Sequence, residues 1–380
     1  MFVAPAALLA PVALAILSRW HVSRSVRRQA KALHQLCTAL PKAELHAHLH
    51  GCARLSTIAE LAPADVDSKH LRVGGDDDRS LEACFEIFGA IHKTVTSVAT
   101  VLRIANEVLS DFASDNVKYL ELRTTPRDLN DADAEGYVRA LLSTLQKYEA
   151  SQRGPWPMTV RLILSIDRSG SAERAMSTVR LLERLWADPT SGGRAYIVGV
   201  DFSGNPTRSC FSVFVPAFEA ARQLGLKVAV HSGEIDHAAD TAAILKFRPD
   251  RLGHALLLSP SDVATLRAAP IPIELCPTSN LKTLRLAGLQ EHPTMALWLQ
   301  SGYPVSISTD DSSVFSTTSS RELALAAQIC ALSAEEVVQL ARAPHVHAFD
   351  LDAESACQRL ARFDATAAEL LSRYHAGELG

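Results

Sequence analysis

Short runs rich in β-branched and apolar residues alternate along this chain with longer stretches of helical spacing, and the series contains eight of them. They are Ala43–His48, Val117–Arg123, Thr159–Ile166, Tyr196–Phe202, Lys227–His231, Arg251–Ala255, Ile271–Cys276 and Val305–Thr309. Alternation of this kind predicts a parallel sheet whose strands are joined by crossover helices. Leu81, Phe85, Phe88 and Ile91 fall on one helical face. Ser333 with Glu336 forms a capping box ahead of Val337, Val338 and Leu340. Eight strands in one series favour closure into a (β/α)8 barrel over an open doubly wound sheet. No Gly-rich phosphate fingerprint follows the first strand, which counts against a dinucleotide-binding fold. The stretch from Asp65 to Arg79, with Gly74-Gly75-Asp76-Asp77-Asp78 in it, reads as an exposed loop.

The barrel reading assigns residues 36–380 to one domain and sets residues 1–35 apart. Phe2 to Ser18 is an uncharged apolar run, followed by Arg19, Arg24, Arg27, Arg28 and Lys31. Crossing a bilayer takes about 20 apolar residues, so the run is marginal. A secretory signal carries its basic residues ahead of the apolar core, and here they follow it. The segment is read equally as a membrane or targeting element and as neither. The seven cysteines are scattered and form no disulfide framework or CxxC pair, which points to a reducing compartment. A cytoplasmic location is expected, with organelle targeting or membrane anchoring through residues 1–35 as the alternative. A formal charge of −4 supplies no basic field for a nucleic-acid backbone, although one mononucleotide remains acceptable as a ligand. The chain is expected to act as a monomer.

Polar clusters gather at the carboxyl ends of the expected strands, where (β/α)8 enzymes place their chemistry. The first strand ends in Leu45-His46-Ala47-His48-Leu49-His50-Gly51. Side chains alternate along a strand, so His46 and His48 share a face and suit a divalent transition metal. Alone, such a pair is as readily a packing or surface feature. His231 ends the fifth strand and Asp310 the eighth, with Asp311 beside it. Three imidazoles and one carboxylate, leaving a position for water, describe a catalytic zinc site.

The run Pro41-Lys42-Ala43-Glu44-Leu45-His46-Ala47-His48 is joined by His231-Ser232-Gly233-Glu234, Arg251-Leu252-Gly253-His254 and Ser308-Thr309-Asp310-Asp311. In this order, over roughly residues 41–330, the motifs resemble the adenosine deaminase family. The resemblance implies a (β/α)8 TIM barrel of the metal-dependent amidohydrolase type, with one zinc ion per chain on His46, His48, His231 and Asp310. It implies Glu234 as the acid that protonates purine N1, against the plainer reading of a solvated loop carboxylate. His254 resembles the histidine that orients or deprotonates the attacking water, and Asp311 the carboxyl that holds the water or substrate N7. Glu274-Leu275-Cys276-Pro277-Thr278-Ser279-Asn280 also matches and is read as barrel architecture, with no nucleophilic role for Cys276.

Within the family, the run from Val117 to Arg127, the run Leu81 to Phe88 with Ile91-His92, Ser165 to Arg168, and Gly199 to Gly204 resemble the adenosine deaminase-like branch that acts on N6-methyl-AMP. That branch implies substrate contacts at His92, Thr124, Thr125, Pro126, Arg127, Asp167 and Gly204, besides His48, His50 and Asp311. For Arg127 the plainer reading is an ion pair tying one βα loop to its neighbour. The branch has asparagine after Leu49, where this chain has His50. The expected reaction is hydrolysis of N6-methyl-AMP to IMP and methylamine, with deamination of adenosine to inosine as the alternative. Two rivals are a barrel hydrolase cutting another bond and a non-catalytic binding protein on this scaffold. The H-x-E and P-C-x-x-C signature of cytidine-type deaminases is missing.

Overall fold

The computed structural model describes residues 28–63, 66, 71, 73, 81–350 and 352–379, with the backbone alone for residues 81–85. All eight expected strands form. They are β1 (Lys42–His48), β2 (Val117–Thr124), β3 (Thr159–Asp167), β4 (Ile197–Ser203), β5 (Lys227–Ser232), β6 (Arg251–His254), β7 (Ile273–Leu275) and β8 (Val305–Ile307). They pair in parallel in the order β1-β2-β3-β4-β5-β6-β7-β8. β8 is short, and the ring closes just beyond it: Ala47 bridges Asp310 in parallel. There His48 N–H donates to the Asp310 carbonyl at 3.0 Å and Asp310 N–H to that of His46 at 2.8 Å. Closure is thus made by the segment that carries the expected ligands.

The strand sequences are dense in Val, Ile and Leu, as strands covered on both faces require. Outside them pack helices such as Val98–Ser114, whose apolar face buries Val101, Ile104, Ala105, Val108 and Leu109. The helix Leu81–Thr94 forms as its spacing predicts, with Ile87 and Ile91 in the core. The Ser333–Glu336 capping box opens the helix Ala334–His347. Residues 28–39 are helical, and the helix runs across residue 36. Leu33, Leu36 and Leu40 recur on one of its faces and pack into the core, which holds it on the barrel. Lys42 Nζ donates to the carbonyls of Cys37, Thr38 and Leu40, satisfying its carboxyl end. Most of the loop from Asp65 to Arg79 lies outside the described residues, but Leu71 and Val73 in it are buried rather than exposed. The apolar run from Phe2 to Ser18 also lies outside them. No helix of the described residues is long and apolar enough to cross a membrane.

The barrel interior holds an unusual amount of charge. Arg123 and Arg251 are almost wholly buried among Glu121, Asp201 and Glu274. Arg251 reaches Glu121 and Glu274 and lies 3.5 Å from the centre of the Phe349 ring. Buried carboxylates are tolerable only where cations pair with them. The guanidinium of Arg123 does this for two at once, donating to Asp201 at 2.9 Å and to Glu274 at 2.5 Å.

Candidate active site

At the carboxyl ends of the strands opens a cavity of about 320 Å³. On its floor three ring nitrogens converge. His48 Nε2 lies 3.3 Å from His46 Nε2 and 3.2 Å from His231 Nε2. Asp310 Oδ1 is 3.5 Å from both His46 Nε2 and His48 Nε2. The far nitrogens are engaged: His46 Nδ1 lies 2.7 Å from Glu274 and His231 Nδ1 3.1 Å from Asp201. Burial raises both carboxyls, but the neighbouring His231 and Arg123 hold Asp201, and Arg123 and Arg251 hold Glu274, well below the usual carboxylate range. Ionised carboxylates accept only, so both histidines donate from Nδ1 and present Nε2 to the cavity. Burial pushes His48 down to about 3, leaving it neutral.

Three ring nitrogens and a carboxylate oxygen converging in this way form a donor set for a cation. With ligand bonds of about 2.0–2.1 Å, a tetrahedral zinc spaces its ligands about 3.3 Å apart, matching these distances. The donor set therefore fits zinc, and Asp201 and Glu274 supply the hydrogen bonds that orient its imidazoles. Asp310 is held from behind as well, since Ser279 Oγ donates to its Oδ2 at 2.6 Å and leaves Oδ1 for the histidines.

Consecutive strand residues point to opposite faces, so Asp310 and Asp311 reach one cavity only where the strand has ended. The backbone does this by turning left-handed, with φ of +63° at Asp310. Asp311 then lies directly over Gly51: a Cβ there would come 1.7 Å from Asp311 Oδ1. Burial and the charge of Asp310 raise Asp311 well above its ordinary value. Glu234 is raised by burial too, and its Oε2 is enclosed without a partner. His254, also left-handed at φ +62°, turns Nε2 to within 3.9 Å of Glu234.

His50, His92, Thr124, Thr125, Asp167 and Gly204 also line the cavity. His50 Nε2 is buried without a partner, and its ring meets that of His92 edge-on at 5.1 Å. Burial leaves both uncharged, with His92 at about 4. The Thr124 hydroxyl is bonded to Tyr137. Gly204 has φ +93°, and a Cβ on it would come 2.2 Å from Asp167 Oδ1. Pro126 and Arg127 do not line the cavity. Arg127 instead donates to the carbonyls of His92 and Val95, at 3.3 and 2.5 Å, tying the β2 loop to the end of the helix Leu81–Thr94. Arg123 and Arg208 both line the cavity, and neither they nor Asp201, Glu274, Ser279 and Asn280 are among the site residues expected from the sequence. Arg123, Asp201, Glu274, Ser279 and Asn280 all fall within runs that carry the family resemblance, the one signal that could point to them.

The sequence profile of the adenosine deaminase family matches residues 41–364. An N6-mAMP deaminase of Arabidopsis thaliana is 38% identical over 332 residues, covering 80% of this chain and 91% of the relative. The human N6-methyl-AMP deaminase is 35% identical over 314 residues, 79% of this chain and 86% of its own. A crystal structure of Arabidopsis ADAL complexed with IMP superposes with a TM-score of 0.80 at 36% identity, covering 88% of this chain and 98% of the other. The chain belongs to the adenosine deaminase family.

Proposed function

We propose that this chain hydrolyses the C6–N6 bond of N6-methyl-AMP, consuming one water and releasing IMP and methylamine. The observation that carries the reading is one cavity in which a metal-type cluster stands beside two carboxyls, Glu234 and Asp311, that burial raises above their ordinary values. His46, His48, His231 and Asp310 would hold one zinc ion. Bound there, zinc lowers the pKa of water to about 7 and so provides hydroxide near neutrality.

The remaining steps belong to the chain. Glu234 gives its proton to purine N1, which draws electrons from C6 and opens it to attack. Asp311, protonated, donates to N7 and fixes the ring in its plane. Gly204, without a side chain, lets the purine approach the end of β4. As C6=O forms, the proton of the C6 hydroxyl passes to the departing amine; N1 keeps the proton it received, and the other proton of the consumed water restores Glu234. At the outer wall, His50, His92 and Thr125 offer neutral donors to a 5′-phosphate, and Arg208 offers a charge. Arg127 acts through the loop it ties down. Relatives that carry the name N6-methyl-AMP deaminase, and one solved with IMP, support the nucleotide reading.

The test is product formation by the zinc-loaded chain on N6-methyl-AMP, AMP and adenosine side by side. IMP from N6-methyl-AMP, with little product from the other two, is the expected result. Preference for adenosine would retain the chemistry and overturn the substrate.

A further inference from the structure

We infer that His292 and Asn280 form a hydrogen-bond relay that locks His254 in its Nε2–H tautomer, so that His254 meets the attacking oxygen as a hydrogen-bond donor and not as its base. The inference rests on the deaminase reading only for the identity of the group that His254 faces.

The relay begins with backbone groups whose roles admit no choice. The N–H groups of Thr294 and Met295 point at His292 Nδ1, at 3.3 and 3.0 Å. A backbone N–H can only donate, so Nδ1 carries a lone pair. Burial lowers His292 to about 4, so the ring is neutral and its one proton sits on Nε2. That proton is directed at Asn280 Oδ1, 3.2 Å away. A second anchor fixes the same amide independently: the backbone N–H of Cys276 donates to Asn280 Oδ1 at 3.2 Å. Reversing the amide would set its NH2 group against two donors at once. Asn280 Nδ2 must therefore face His254 Nδ1, and it does so at 2.9 Å. Receiving a hydrogen bond there, His254 Nδ1 holds a lone pair and the ring's proton lies on Nε2, the atom 3.9 Å from Glu234.

Each member is buried, with Asn280 at 1%, His254 at 2% and His292 at 6% exposed, so water does not compete for these bonds. The two contacts that join the three members each connect different elements. His254 ends β6, Asn280 lies in the helix Pro277–Thr283 after β7, and His292 precedes the helix Met295–Gln300. The consequence is chemical. With its Nε2 already protonated, His254 has no lone pair to offer the cavity. It can hold the attacking oxygen by donating to it, but removing that oxygen's proton is left to another group. His292 and Asn280 are positioning residues in this scheme, acting only through His254.

The experiment uses the full, zinc-loaded chain labelled with 15N histidine. Long-range 1H–15N correlation spectra distinguish the two neutral tautomers, with the His254 signals assigned by loss in His254→Gln. The expected result is Nε2–H at both His254 and His292. An Nδ1–H tautomer at His254 in the unmodified chain would overturn the proposal without any variant. Asn280→Asp removes the NH2 donor and should move the His254 proton to Nδ1. It should lower kcat by at least about tenfold with little change in KM or zinc content, since a wrong histidine tautomer in a Ser-His-Asp triad costs about 10⁴. His292→Gln keeps a donor to Asn280 and should stay within about threefold of the parent kcat, whereas His292→Leu should not. Equal loss in both His292 variants, or an unmoved tautomer in Asn280→Asp, would also overturn it. The spectra need no turnover. A chain that shows the expected tautomers yet deaminates no purine would refute the reaction and leave the relay intact.

Discussion

The carboxyl group of Asp311 occupies the space that a side chain at residue 51 would need: a Cβ on Gly51 would lie 1.7 Å from Asp311 Oδ1. Glycine is thus required there by close approach across the barrel closure, between the loop after β1 and the turn after β8. Gly51→Ala should displace Asp311 while leaving the ligands in place. Misplacement of a reacting group by about 1 Å can cost about 10²-fold. We expect a fall in kcat of that order, with zinc stoichiometry unchanged by metal analysis. Loss of zinc together with activity would mean that Gly51 supports the metal site instead.

Glu234→Gln should keep its metal and lose turnover by about 10²–10⁴-fold, the usual contribution of a general acid. Burial raises the carboxyl of Glu234, which keeps it protonated to higher pH than an exposed glutamate. The protonated form is the active one. kcat should therefore be level on the acid side of this group and fall as pH rises through its raised value. A kcat that climbs with pH through that limb would assign the proton transfer elsewhere.

Arg123 joins the two carboxylates that orient His46 and His231, and all of these groups are buried. Replacing it by methionine leaves Asp201 without its arginine and Glu274 with Arg251 alone, and stranding a buried charge typically costs about 3–5 kcal/mol. Loss of such outer hydrogen bonding typically weakens metal binding by about 10–100-fold. Zinc competition against a chelator and a thermal melt should show both effects in Arg123→Met. Arg123→Lys should recover little, because one ammonium cannot replace the forked contact.

His50 sets its unpartnered Nε2 beside His92 at the outer wall. His50→Asp places a negative charge where the 5′-phosphate is proposed to lie. The KM for N6-methyl-AMP should rise by about tenfold or more, since like charges brought together cost several kcal/mol. Turnover of adenosine, which has no phosphate, should change much less. Equal effects on both would move the phosphate away from His50.

Chelation should abolish activity, and added zinc should restore it. In Asp201→Asn, His231 loses its anionic partner, so more zinc should be required for half-maximal recovery. An activity that survives complete removal of metal would exclude the proposed chemistry.

Much of this molecule is readable in its sequence because the information is local. The period-two spacing of His46 and His48 puts both on one strand face whatever surrounds them. Eight β-rich runs separated by helical ones leave little choice but a wound parallel sheet, and the order of polar strand ends carries the family. The helix at residues 28–39 crosses a change in composition, and its place is set instead by Leu33, Leu36 and Leu40, which bind it to the barrel. Arg127 shows the opposite limit. An arginine beside a substrate motif reads as a phosphate ligand, but where its guanidinium points depends on the carbonyls that end a distant helix.

The sequence by itself determined which residues stand at the strand ends, since backbone period and chain order are enough to set that. Only the tertiary structure decided what those residues are chemically. Arg123 fixes the charge of Asp201 and Glu274, burial fixes the protonation of Glu234, and His292 fixes the tautomer of His254 through Asn280. Each effect depends on distance and exclusion of water between groups far apart in the chain, and neither quantity exists until the barrel has closed.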